Sequence, residues 1–136
     1  MNSASAVVLI GLTLWTLVLL ILMEALRTRY VVTKVVAANE FRPDNSNLSP
    51  FMQRLARAHA NCIENLPIFG VLLITALLTN RAGITNPLAP WLLAARLIQS
   101  CVHLTSLSVA AVNVRFVAFA VQIAIAVYWA FALLLS

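Results

Sequence analysis

Four long apolar runs, at 4–26, 55–78, 90–107 and 114–135, constrain this chain more than any other feature. About 20 helical residues cross the hydrocarbon core of a bilayer, and each run approaches or exceeds that length. Lipid offers no hydrogen-bond partners, so a spanning segment must be a helix or part of a closed barrel. Continuous runs of this length are not the short alternating strands that barrels use. The expected fold is all-α: a four-transmembrane-helix bundle forming a single integral membrane domain over residues 1–136. Composition agrees, because 62% hydrophobic and 10% charged residues, with a mean hydropathy of +0.96, exceed what a soluble core of this size can hide. Soluble domains are about 45–50% apolar and roughly a quarter charged. The first run follows no basic segment, outlasts the apolar stretch of a signal peptide and has no clean cleavage site, which predicts a retained helix.

Charge sets an orientation. The net charge of +5 comes from nine basic and four acidic residues, and Arg27, Arg29, Lys34, Arg42 and Arg54 all fall in or beside the first connection. The positive-inside rule places that loop in the cytoplasm and both termini on the far side, where Trp91 and the Tyr128-Trp129 pair are expected at the interface. The basic excess suits anionic headgroups or an anionic substrate, whereas too few basic residues lie outside the apolar runs for nucleic acid. Short loops favour a bacterial inner membrane over the endoplasmic reticulum. Cys62 and Cys101 sit in apolar helical runs without metal-type spacing, and no metal is expected.

Ionisable groups inside spans are costly and are functional candidates by default. On the second run Arg57, Asn61 and Glu64, at i, i+4 and i+7, fall within about 40° of one another, with Arg54 about 60° away. His59 points elsewhere, as an interfacial side chain or a partner contact. On the third run Arg96, Gln99 and His103 share a face, and on the fourth Arg115 and Gln122 do. A rise of about 1.5 Å per residue puts Glu64 and Arg96 at the same depth, which predicts a buried ion pair. With the first loop, these residues describe a basic cavity at one membrane face, suited to a small soluble anion whose reaction partner arrives from lipid.

The stretch from Arg57 to Phe69 reads RAxxNxxExxPxF and resembles the signature of the MAPEG family, the membrane-associated proteins of eicosanoid and glutathione metabolism. Chain length, four runs, the long basic first loop and an arginine early in the last run extend the likeness over nearly the whole sequence. The resemblance implies a homotrimer with glutathione bound between neighbouring subunits, and a transferase joining its thiolate to a lipophilic electrophile, with peroxidase activity toward lipid hydroperoxides as a variant. It implies that Arg57, Asn61 and Glu64 contact glutathione, that Arg96 pairs with the glutamate, and that Arg27 and Arg29 are the basic pair ending the first helix. Gln99 and His103, where the prostaglandin-synthase branch of the family has His and Tyr, complete the implied binding set. That branch also has a hydroxyl residue where this chain has Phe116.

Arg115 matches the arginine beside the glutathione sulfur and is the implied catalytic residue. A guanidinium next to a thiol of pKa about 8.5 favours the thiolate nucleophile. A two-unit drop corresponds to about 2.7 kcal/mol, and arginine suits the task because it stays charged. Two other readings compete. A non-catalytic lipid-binding or scaffold member of the family would keep the fold without binding glutathione. A small four-helix transporter should carry a lone acid mid-membrane on its first helix, whereas Glu24 lies three residues before Arg27, where an i,i+3 pair is expected.

Overall fold

A computed structural model describes residues 3–136; Met1 and Asn2, part of the expected single domain over 1–136, lie outside the described residues. All regular structure among the described residues is helical: α1 (Ala4–Val32), α2 (Pro50–Leu78), the single-turn α3 (Ala82–Thr85), α4 (Ala89–Thr105) and α5 (Val109–Leu135). Of these, α1, α2 and α5 are long and apolar enough to cross a membrane. The third expected span, at 90–107, is shorter than its apolar run. α4 has 17 residues, a rise of about 26 Å against a core of about 30 Å, because the chain turns extended at Ser106 while hydropathy continues to Leu107.

The other long helices overrun their apolar stretches, since caps rather than hydropathy decide where a helix begins. Ser49 accepts a hydrogen bond from the Met52 N–H (3.3 Å) with Pro50 in the first turn, so α2 starts five residues before position 55. Ser108 accepts from the Ala111 N–H (3.1 Å), making helix of the segment to Asn113 that reads as loop. Side-chain oxygens at these positions satisfy N–H groups that the helix itself cannot. α1 likewise continues to Val32, so Arg27 and Arg29 ride on its last turns instead of beginning a loop.

Helical stripes build the interior. Val8 and Leu12 of α1, Phe69 and Leu73 of α2, Leu92 of α4 and Trp129 of α5 form one buried cluster, and a second joins Leu19 and Met23 to Met52, Leu55, Ala58 and Cys62. Trp129, expected at an interface, is fully buried. It belongs to the α5 stripe Gln122, Ile125, Ala126, Trp129 and Leu133, which the i, i+3, i+4, i+7 period turns inward. α1 approaches α4 closely at Gly11, where a Cβ would meet Leu93 Cδ2 at 3.0 Å. Polar ties cross the packing as well. Gln122 Nε2 donates to Gln99 Oε1 at 2.9 Å, and Ser5 bonds both Thr85 and Asn86 beyond α2.

The first connection is anchored at one residue. Asn45 adopts a left-handed φ of 55°, which Asn tolerates better than most residues, and it is fully buried. Its Oδ1 accepts from Arg27 Nε (3.1 Å) and Nη2 (2.6 Å), and its Nδ2 donates to the Met52 carbonyl (2.7 Å). Next to it, the Ser46 N–H donates to Asp44 (3.0 Å) and holds that exposed carboxyl below its ordinary pKa. Asn45→Ala removes the acceptor of Arg27 Nε and the side-chain donor to the Met52 carbonyl, and is expected to cost about 2 kcal/mol. The thermal midpoint in detergent should fall and protease cleavage between residues 33 and 49 should accelerate; an unchanged midpoint would remove the anchor.

Candidate functional site

The inward stripe of α2 is Ala58, Cys62, Asn65 and Phe69, all buried. At about 100° per residue, Asn61 lies at the edge of that stripe and Glu64 about 60° further round. Arg57 and Glu64 accordingly face out of the subunit while Asn61 is half-buried. His103 reaches the same edge from the last turn of α4, and Arg115 from the second turn of α5. Together with Ala60, these five side chains line an open cleft of about 390 Å³, within the roughly 300–1,000 Å³ usual for small-molecule sites. By contrast, a larger groove of about 510 Å³, between Pro67–Leu72 of α2 and Ile123–Ala130 of α5, is lined without an ionisable group.

The cleft sets two guanidinium groups against one carboxylate. Neither arginine is in an ion pair within the subunit, Glu24–Arg27 being the one ion pair among the described residues. The Nε of Arg115 and the Nε2 of His103 are enclosed and have no hydrogen-bond partner. Arg115 lies in the second turn of α5 rather than at its start, because the Ser108 cap starts the helix earlier. Such a site can hold an anionic group between Arg57 and Arg115 and a cationic one at Glu64.

Other candidate residues lie elsewhere. Arg96 is 2% exposed and does not pair with Glu64; its Nη1 donates to Asn61 Oδ1 at 2.7 Å. Equal depth brought the arginine to the right helix, but Glu64 points outward and Asn61, one turn away, points toward it. Arg96 also stacks over Phe69, with its Cζ 5.8 Å from the ring centroid. Beside it, Thr16, Cys62 and Phe69 help to line a void of about 10 Å³, room for one water at most. Gln99 is buried in its bond to Gln122. Arg27 is occupied by Asn45 and Glu24, in the i,i+3 pair expected for the latter (3.2 Å). Arg29 is exposed on the last turn of α1. His59 is outside the cleft, with an enclosed, unpartnered Nε2.

Arg54, expected beside the α2 stripe, and Asn65 both act away from the cleft wall. Arg54 belongs to the α4 end, where its Nε donates to the Leu104 carbonyl at 3.0 Å. Asn65 donates to Asn61 through both the main-chain carbonyl (2.8 Å) and Oδ1 (3.1 Å). The i, i+4 spacing of the two asparagines was the available signal.

Three membrane-length apolar helices, and a charged cleft opening among their side chains, define an integral membrane protein with a polar site at the level of its spans. The family model for MAPEG matches residues 5–135, nearly the entire sequence, and the chain belongs to the MAPEG family. Comparison with curated proteins and with solved structures returned no match.

Proposed function

We propose that this protein is a glutathione-dependent membrane transferase, acting as a homotrimer of four-spanning subunits. The observation that carries the reading is the meeting of Arg57, Asn61, Glu64, His103 and Arg115 in one cleft, from three helices, in a chain of this family. Glutathione offers carboxylates and an ammonium, which match the donors of Arg57 and Asn61 and the carboxylate of Glu64. Arg115 stabilises the sulfur as thiolate. The thiolate attacks an electrophilic carbon of a lipophilic co-substrate, a C–S bond forms, and the leaving group departs with the bonding electron pair. Holding both reactants in one site replaces an encounter between water and lipid phases with a positioned reaction.

The trimer is supported by the same geometry. Arg57 and Glu64 face away from their own subunit, and ionisable groups at this level seldom face lipid. A neighbouring subunit over the cleft would cover them and complete the site. α3 and α4 together then supply the fourth crossing. The basic first connection, and with it the cleft, faces the cytoplasm of a bacterial cell, where glutathione keeps thiols reduced. Titration of purified protein with glutathione should give a saturable isotherm and a rise in ultraviolet thiolate absorbance at neutral pH. A flat isotherm would remove the transferase and favour a scaffold.

A further inference from the structure

The carboxamide of Asn61 is held in one orientation by two neighbours whose own chemistry leaves no alternative. Arg96 Nη1 lies 2.7 Å from Asn61 Oδ1, and a guanidinium has donors but no acceptor, so the atom facing it must be the amide oxygen. Asn65 Nδ2 donates to the Asn61 main-chain carbonyl at 2.8 Å and to the same Oδ1 at 3.1 Å. A main-chain carbonyl can only accept, so the Asn65 amide is fixed as well. The usual exchange of oxygen and nitrogen in an amide is thereby excluded at both positions. Neither neighbour has room to turn, Arg96 being 2% and Asn65 9% exposed.

What remains to the cleft is the Asn61 nitrogen. Nδ2 donates to no group among the described residues and is not enclosed, and Asn61 lines the cleft. We propose that Asn65 and Arg96 are positioning residues that make Asn61 a donor-only contact, so that the cleft selects a carboxylate over a carboxamide at that point. The inference deepens the glutathione reading and rests on it. Arg57, Arg115 and Asn61 all donate, and Glu64 alone accepts. A ligand fits when a deprotonated carboxylate meets Arg57 and Asn61, a thiolate meets Arg115 and an ammonium meets Glu64. A carboxamide has one acceptor oxygen where a carboxylate has two, so either Arg57 or Asn61 would face its NH2, donor against donor.

Calorimetric titration with glutathione and its two mono-carboxamides tests this. Wild type should bind glutathione more tightly than at least one carboxamide. In Asn61→Asp the substituted side chain still accepts from Arg96 but presents an acceptor to the cleft. Glutathione binding should weaken about 10–100-fold, the worth of a hydrogen bond to a charged group, while the thermal midpoint holds or rises. The double variant Asn65→Leu/Arg96→Leu frees the Asn61 amide; it should lose the preference for carboxylate over carboxamide while still binding. Binding by Asn61→Asp within twofold of wild type overturns the inference, as does an unchanged preference in a folded double variant. If wild type binds no glutathione, the functional reading fails first and the inference falls with it.

Discussion

Arg115→Ala is expected to lower glutathione conjugation of an aryl halide by about 10²–10³-fold, the loss typical when one donor aimed at a reacting anion is removed. The enclosed and unpartnered Arg115 Nε stands at the cleft wall, and no carboxylate of the subunit bonds to it among the described residues. Its charge is therefore free to act on a bound thiol. The direction in pH follows. With the guanidinium present, the bound thiol ionises below its free value of about 8.5, and the rate levels off above that lowered pKa. Without it the pKa returns upward, so the rate at neutral pH falls and keeps rising into the alkaline range. Arg115→Lys keeps a charge but not the fork of donors, and should recover part of the rate. If Arg115→Ala only raises KM, with the pH profile unmoved, Arg115 is a binding residue and not the source of the thiolate.

The sequence predicted the helical character of this chain and most of the cleft for the same reason: both depend on period. A stripe at i, i+4 and i+7 must share a face once the segment is helical, so Arg57, Asn61 and Glu64 meet along one cleft. Azimuth against another helix is a different quantity. Depth along the axis could match Glu64 with Arg96, but nothing local says that Glu64 turns out of the subunit while Asn61 turns toward Arg96. Helix ends were hidden for a further reason. Ser49 and Ser108 are single polar residues whose capping role shows only once the backbone places an N–H two or three residues on. Asn45 is the extreme case. It reads as one more polar turn residue, yet it is buried because Arg27, eighteen positions earlier, finds its oxygen. Arg27 thus binds the loop within the subunit, while the family resemblance alone had suggested a ligand contact.

Arg54 and Arg57, a single helical turn apart, should have opposite fates on substitution. Arg57 is exposed and lines the cleft without a partner in its own chain among the described residues. Arg54 is half-buried, with its Nε on the Leu104 carbonyl and its Cζ 6.0 Å from the Phe51 ring centroid. That carbonyl belongs to the last turn of α4, where the helix cannot satisfy its own acceptors, and a positive group there also meets the negative end of the helix dipole. Arg57→Ala removes a charged contact to a carboxylate, so glutathione should bind about 100-fold more weakly, with the thermal midpoint preserved. Arg54→Ala uncaps α4 and should cost about 1–2 kcal/mol of stability, with affinity changed by less than a few fold. Because the last turn of α4 carries His103 and leads into α5, a large loss of affinity in Arg54→Ala would mean that the cap positions the cleft. Equal losses of affinity and stability in the two variants would contradict the division between a ligand-facing and a structural arginine.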